Sequence, residues 1–467
     1  MGNVTDHFPE FASKMRAAGL TEACIRAFEH NYRALVAGAT GQIPEADLEP
    51  VTALPRYEAL PATEARAELL RQTVVLKLNG GLGTSMGLES PKSLLRVRDG
   101  QTFLDLIARQ ILHLRRTHGV PLRFLLMNSF STSAATLAAL TRHPELGEPK
   151  SLELLQNFVP KVDLAMLRPV EWPAHPQLEW CPPGHGDLFP ALAGSGWLER
   201  LLADGARYLF VSNADNLGAS LDPKLLAWFA ASGSPFLMEV CERTAADRKG
   251  GHLAQRRGQL LLRESAQCPA ADEAAFQDIT RHRYFNTNNL WVRLDALADV
   301  LRQHGGMIPL PLIKNVKTVD PRDPRSPKVA QLETAMGAAI ACFPGAAALL
   351  VPRARFAPVK TCADLLAVRS DAYRITPDWR IELVPERHGQ PPALDLDGHY
   401  KLVDQLEAAL ADGVPSLRDC RSLAVKGPVR FSAANVFRGN VRIVNPATAP
   451  WPVPAGVHAD TELTLPS

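Results

Sequence analysis

Long apolar runs are absent from this 467-residue chain. Nothing in it approaches the ~20 consecutive apolar residues that a membrane-spanning helix needs. A dominant sign of charge is absent too. The net charge is +2 at neutral pH, which gives no case for nucleic acid or an anionic membrane as partner. Cysteine pairs are missing: the seven cysteines are scattered singly, with no Cys-x-x-Cys. That argues against a disulfide framework or a structural zinc site and points to a reducing cytoplasm. The stretch Met1 to His7 carries no basic segment followed by an apolar core, so no secretory signal is expected. Asp6 stands where a myristoylation motif needs Ser or Thr. No Ser-His-Asp or Cys-His arrangement marks a covalent nucleophile, which is no obstacle to chemistry that needs only positioning and charge.

What is present is the balance of a globular protein, 46% hydrophobic and 21% charged residues, in a chain long enough for more than one domain. Residues 1–70 read as helices with polar connections. Phe11, Met15, Ala18 and Leu20, then Cys24, Ile25 and Phe28, have roughly helical spacing. This segment is expected to pack beside the main domain. Residues 71–375 alternate short apolar runs (Val74–Leu78, Arg123–Met127, Tyr208–Val211, Phe236–Val240, Leu290–Val292, Ala348–Val351) with helical patterns such as Thr102–Arg116 and Ser133–Thr141. That alternation predicts an α/β domain with a mostly parallel sheet covered on both faces. Ligands on such sheets bind at the carboxyl ends of the strands. Residues 376–467 follow a break between Pro377 and Pro392. There a short helix, Lys401–Leu410, precedes alternating segments at Leu423, Val429 and Asn440 that look like rungs of a small β-helix.

The densest signal is Thr73-Val-Val-Leu-Lys-Leu-Asn-Gly-Gly-Leu-Gly-Thr-Ser-Met-Gly87, followed by Pro91-Lys92-Ser93. An apolar strand runs into a glycine-rich turn whose backbone N–H groups can face phosphate oxygens or a base edge. A Walker loop is excluded, because Lys92 lies beyond Gly87 and follows a proline. A dinucleotide fingerprint is excluded, because Met86 holds the third glycine's place. Gly-Gly-x-Gly-Thr with a later Pro-Lys pair leaves the sugar nucleotidyltransferase class, beside the plain alternative of a strand-to-helix turn. Asp215, just after the run Tyr208–Val211, is chemically sufficient as a Mg²⁺ ligand. That ion commonly takes one or two carboxylates and completes its shell with water and phosphate. A turn aspartate bonded to its own backbone is the alternative.

Six further segments follow in order: Leu126-Met-Asn-Ser-Phe130, Pro182-Pro-Gly-His-Gly-Asp187, Val211-Ser-Asn-Ala-Asp-Asn-Leu-Gly218, Phe285-Asn-Thr-Asn-Asn-Leu-Trp291, Gln331-Leu-Glu-Thr-Ala335 and Pro358-Val-Lys360. With them the chain resembles the eukaryotic-type UTP–glucose-1-phosphate uridylyltransferases, also called UDP-glucose pyrophosphorylases. The resemblance spans nearly the whole sequence. It implies a Rossmann-like nucleotidyltransferase domain with a C-terminal left-handed β-helix. It implies Mg²⁺-dependent uridylyl transfer from UTP to glucose 1-phosphate, giving UDP-glucose and pyrophosphate. Self-association through the C-terminal domain is a further expectation.

Residue by residue, the resemblance implies a nucleotide-binding loop of Leu78, Asn79, Gly80, Gly81, Gly83, Thr84 and Met86. It places Lys92 beside the UTP phosphates and makes Lys360 the second catalytic lysine. Gln156 reads uracil with its amide, the Gly184 backbone meets the base, and His185 donates a hydrogen bond to phosphate. Asn213, Asn288 and Glu333 serve the sugar phosphate together with Lys360, and Glu333 could instead support a lysine. Asp215 serves nucleotide and metal. Two stretches depart from the family pattern. The loop after Gly250-Gly251 diverges, which leaves strict preference for glucose an inference. Pro446–Pro454 predicts a shortened or irregular last rung. A broader UDP-sugar pyrophosphorylase and a non-catalytic UDP-sugar sensor stand as alternatives.

Overall fold

A computed structural model describes residues 6–466. Its centre is a ten-stranded mixed sheet. Four strands, β1 (Thr73–Asn79), β2 (Arg123–Asn128), β3 (Glu153–Leu155) and β4 (Tyr208–Asn213), run parallel in the spatial order β4-β1-β2-β3. β1 is buried along almost its whole length, as a central parallel strand covered on both faces must be. Its side chains alternate between two cores. Val75 joins one, with Phe103, Leu104, Ile107 and Phe124. Val74 and Leu76 join the other, with Leu125, Leu188, Phe189 and Leu297.

Beyond β4 the sheet changes character. β5 (Phe236–Glu242), β6 (His252–Arg256), β7 (Gln259–Arg263), β8 (Tyr284–Arg293) and β9 (Ala347–Leu350), with the short strand Glu49–Pro50 paired to β6, make up this half. β8 lies antiparallel to both β4 and β5, while β5 and β9 are parallel. β6 and β7 form a tight hairpin, with Arg257 and Gly258 both at positive φ, the geometry that matches strand twist in a two-residue turn. The expectation of a mostly parallel sheet therefore describes the half that carries the glycine loop. The other half is mainly antiparallel, because such a short hairpin can pair in no other way.

Helices α1 (Phe8–Ala17) and α2 (Glu22–Val36) pack Phe11, Met15, Ile25, Phe28 and Tyr32 against Val159, Leu312 and Leu332. Thr21 caps α2 by accepting from the Cys24 N–H. α3 (Phe103–His118) starts with a reciprocal cap between Thr102 and Asp105 and covers one sheet face. α4 (Leu188–Gly194) lies on the other face and is gripped by α2, where a Cβ on Gly194 would come 2.2 Å from Thr21 Oγ1. Among the described residues no helix is long and apolar enough to cross a membrane.

Towards the C-terminus, β10 (Ala393–Leu396), β11 (Ser416–Lys426), β12 (Asn435–Val444) and β13 (Gly456–Thr464) form a wholly parallel sheet in chain order. Leu423, Val425, Phe431, Phe437, Val441 and Ile443 fill its inner side and join the core that runs under α3. The proline-rich stretch does not shorten the last strand, since β13 has 9 residues against 10 in β12. Asn445 fastens the connection by donating to the Pro428 and Ala449 carbonyls. The register shifts between Arg438 and Val441 where β12 pairs with β13, as it does at two places between β11 and β12.

Candidate active site

The glycine loop, Asn128 and the Asn213–Asp215 turn all leave the carboxyl ends of adjacent parallel strands, so they meet on one edge of the sheet. The Lys92 N–H donates back to the Gly81 carbonyl at 3.2 Å. The Lys92 stem passes 3.4 Å from where a Cβ on Gly83 would stand. Gly81 and Thr84 are exposed, whereas Met86 is in the core, so only the Met86 backbone can face a ligand. The Asn79 amide is buried too. It donates to Asn128 Oδ1 at 2.7 Å and Thr136 Oγ1 at 2.9 Å, and thereby fixes the strand ends. Leu78 is half-buried at the end of β1.

Lys92 Nζ lies 2.7 Å from Asp215 Oδ2 in a largely enclosed ion pair. Two residues 123 positions apart are thus brought to one point. Lys360 reaches the same edge by a different route. The Val359 N–H donates to the Asp215 carbonyl at 3.2 Å, and the Ala357 N–H donates to Asn216 Oδ1 at 2.9 Å. Asn216 Nδ2 in turn donates to the Arg355 carbonyl at 3.2 Å. The Lys360 side chain is exposed, with Nζ 5.8 Å from the Phe356 ring centre, and forms no ion pair among the described residues.

On the base side, the Gln156 amide donates to the Gly184 carbonyl at 3.0 Å. A Cβ on Gly80 would stand 2.6 Å from Gln156 Oε1, so a larger residue there would push the Gln156 amide aside. Gly184 has φ +79° and packs against Thr334. His185 Nδ1 accepts from the Met336 N–H at 3.0 Å, which leaves Nε2 to carry the proton. Burial holds its pKa down to about 4, so the ring is a neutral donor at physiological pH.

On the sugar side, the polar run lies within a strand rather than before one. β8 spans Tyr284–Arg293, and the ladder with β5 shifts register opposite Thr287 and Asn288. Asn288 sits in that bulge at φ +59°, a conformation Asn tolerates better than most residues. Its Oδ1 accepts from Asn286 Nδ2 at 2.7 Å, and its own amide hydrogens have no partner among the described residues. Asn213 is half-buried at the end of β4. Glu333 comes close to Gly184: its Cβ lies 3.2 Å from where a Cβ on that glycine would stand. That puts it beside the base-side loop, with no hydrogen bond or ion pair to Asn288 or Lys360 among the described residues.

A carboxylate that sequence reasoning missed stands nearer Lys360. A Cβ on Gly251 would come 2.4 Å from Glu264 Oε2. Burial raises the Glu264 pKa, against the pull of the Lys360 charge. Lys77 was missed as well. Buried within β1, it donates to Ser212 Oγ at 2.7 Å and to the Ala219 carbonyl, so it spans the loop that carries Asp215. Burial and the nearby Arg355 push its pKa down to about 7. A lysine inside an otherwise apolar strand was the available signal. Glu239, wholly buried, accepts from Trp291, Asn289 and Arg355 and ties β5, β8 and the Lys360 segment together.

No group of three or more His, Cys, Asp or Glu side chains able to hold a metal occurs among the described residues. Asp215 alone fits a Mg²⁺ that arrives with a triphosphate and takes its other ligands from phosphate and water. It does not fit an ion caged by protein.

Comparison with known proteins agrees with this geometry. The family model described as UTP–glucose-1-phosphate uridylyltransferase matches residues 25–438. A probable UTP–glucose-1-phosphate uridylyltransferase from Schizosaccharomyces pombe is 42% identical over 81% of this chain and 74% of its own length. The Saccharomyces cerevisiae enzyme of that name is 41% identical over 83% and 77%. A variant of UDP-glucose pyrophosphorylase from Leishmania major, solved in complex with UDP-glucose, superposes with a TM-score of 0.94 at 49% identity, covering 99% of this chain and 100% of that one. A Trypanosoma brucei structure described as UDP-glucose phosphorylase gives 0.91 at 48% identity with the same coverage. With the glycine loop, both lysines and Asp215 gathered on one sheet edge, the chain belongs to the UTP–glucose-1-phosphate uridylyltransferase family.

Proposed function

We propose that this protein transfers a uridylyl group from UTP to glucose 1-phosphate, reversibly, by direct in-line displacement. A phosphate oxygen of glucose 1-phosphate forms a bond to the α-phosphorus as the bond to the bridging oxygen of pyrophosphate breaks. The observation that carries the reading is the Lys92–Asp215 pair at 2.7 Å, standing where the strand ends, the glycine loop and the Lys360 segment converge. Such a transfer needs no covalent nucleophile; positioning and charge stabilisation dominate it.

In this reading the backbone of Leu78 to Met86 and the Gly184 loop hold the nucleotide, and Gln156 reads the base. Lys92 releases Asp215 and turns to the triphosphate. Lys360 neutralises charge between the two substrates. Asn288, Asn213 and the missed Glu264 face the sugar, and His185 donates from Nε2 towards phosphate. Glu333 supports the Gly184 loop. Mg²⁺, held through Asp215, would shield the phosphate charge. The C-terminal parallel strands are read as a left-handed β-helix covering residues 376–467, beside a catalytic unit of 71–375 and a helical segment of 1–70. The free edge of β13 is a surface through which copies could associate. The singly placed cysteines favour a cytoplasmic setting.

The test is pyrophosphate release from purified protein with UTP, glucose 1-phosphate and Mg²⁺, beside other nucleotides and sugar 1-phosphates. Release restricted to UTP and glucose 1-phosphate is expected. Release with several sugar phosphates would assign a broader UDP-sugar pyrophosphorylase. Binding of UDP-glucose without turnover would reject the catalytic reading.

A further inference from the structure

We propose that Asp187 is a positioning residue that locks the base-reading amide of Gln156 and so sets the preference for uracil over cytosine. The inference rests on reading Gln156 as the base contact. Uracil offers an acceptor at O4 and a donor at N3; cytosine reverses both. A primary amide can serve either base, depending on which way it points. Here the orientation is fixed by one bond, from Gln156 Nε2 to the Gly184 carbonyl at 3.0 Å. Rotating the amide by half a turn would set Oε1 against that carbonyl, two acceptors face to face. The other Nε2 hydrogen and Oε1 remain for the ligand. Base preference therefore depends on where the Gly184 carbonyl stands relative to Gln156.

Asp187 sets that relation. Its Oδ2 accepts from the Asn157 backbone N–H at 2.7 Å, and its two oxygens accept from Asn157 Nδ2 at 3.0 and 3.1 Å. Its own N–H donates to the Gly184 carbonyl at 3.3 Å. One side chain thus joins the residue next to Gln156 to the loop that carries Gly184, across 30 positions of sequence. The carboxyl is 2% exposed, and no cation pairs with it among the described residues. Cys24 and Asn31 of α2 face it across a cavity of about 30 Å³ that Thr334 also lines. Burial raises its pKa to about 7, against the lowering effect of the Asn157 bonds. An unpaired buried carboxylate is a costly way to fill space. In its ionised form it is an effective way to hold several donors of one segment, because it then presents acceptors only.

The experiment compares kcat/KM for UTP and CTP in Asp187→Ala, Asp187→Asn and, in parallel, Gln156→Ala. In Asp187→Ala the UTP-to-CTP preference should narrow at least tenfold, through a higher KM for UTP, with kcat for UTP within threefold. Asp187→Asn should recover most of the preference, since its carbonyl can accept from the Asn157 N–H and its amide can meet a flipped Asn157. A role in folding alone would lower thermal stability and both nucleotides' efficiencies together. A folded Asp187→Ala with unchanged preference, beside a Gln156→Ala that loses it, overturns the inference alone. Unchanged preference in Gln156→Ala overturns the base-reading assignment and this inference with it. If Asp187→Ala does not fold, Asn157→Ala, at a half-buried position, removes the side-chain bonds. It should narrow the preference in the same direction, and no narrowing there overturns the inference.

Discussion

Replacing Asn216 by alanine should slow turnover far more than it weakens binding. Asn216 is 2% exposed, and its amide makes the links that hold the Lys360 segment against the Asp215 turn. Alanine leaves the half-buried Ala357 N–H without its acceptor, at about 1–3 kcal/mol for an orphaned donor. It also removes the bond to the Arg355 carbonyl, about 1 kcal/mol, although that oxygen keeps its donor from Asn289 Nδ2 at 3.2 Å. The expected loss of stability is about 2–4 kcal/mol, measurable by urea unfolding followed by circular dichroism. What then holds the segment is the Val359 N–H on the Asp215 carbonyl and the Arg355–Glu239 pair at 2.7 Å. Lys360 sits just beyond the loosened stretch. A displacement of about 1 Å at a charge-stabilising group costs up to ~10²-fold in rate. Pyrophosphate release by Asn216→Ala should therefore show kcat reduced about 10- to 100-fold, with KM for UTP changed by no more than about threefold. A folded variant with kcat within about twofold of the parent would refute the argument. Lys360 would then be placed by something other than this asparagine.

Lys360→Ala should lower kcat by orders of magnitude at unchanged stability, since the side chain is exposed and forms no ion pair among the described residues; parent-like turnover in a folded variant would remove it from the chemistry. Glu239→Gln should destabilise by up to about 3–5 kcal/mol, because it leaves the buried Arg355 guanidinium only its longer contact with Asp222 Oδ2 at 3.7 Å; an unfolding midpoint equal to the parent's would contradict this. Acid should destabilise the fold through two stacked histidines, His252 and His282, whose rings lie 3.8 Å apart. Burial, with His282 and Arg243 alongside, pushes the His252 pKa down to about 2, and burial lowers that of His282 against the pull of Glu45. Unfolded histidines titrate near pH 6.5, so below that pH the unfolded state binds more protons and stability falls, by about 1.4 kcal/mol per pH unit per histidine. The full contribution is present above the unfolded pKa and is lost as pH falls towards the native one. Urea unfolding across this window should show the slope, and His252→Phe should reduce it; an unchanged slope would clear His252 of the effect.

What could be read from the sequence followed from how local each requirement is. The glycine loop was legible because glycines cluster in it, and Gly83 and Gly87, at positive φ, are demanded by the backbone itself and visible without knowing any partner. β1, β2 and β4 were legible because strands covered on both faces must be apolar throughout. Their shared direction then predicted that the loop, Asn128 and Asp215 would converge, as they do. The antiparallel half was harder. Its strand β8 carries Asn286, Asn288 and Asn289 within it, a composition that reads as a turn, and only the ladder with β5 and the bulge at Asn288 reconcile the two.

Residues whose meaning lies in a distant partner were not legible. Asn216 and Arg355 are 139 positions apart, and nothing local distinguishes Asn216 from any asparagine in a turn. Asp187 stood inside a recognised segment and still carried no role until Asn157 was seen beside it. Glu333 and Glu264 are both carboxylates in polar surroundings; only the fold separates the one beside Gly184 from the one beside Lys360. Lys77 is the instructive exception. A charge among apolar strand residues cannot be left unpaired, so its position alone demanded buried partners, even though Ser212 and the Ala219 carbonyl could not be named. The site is therefore an edge set by strand direction, onto which residues such as Asn216 draw a segment that no strand delivers. Lys360, which follows β9 by a long loop rather than ending a strand beside β1, is brought up to the Asp215 turn for that reason.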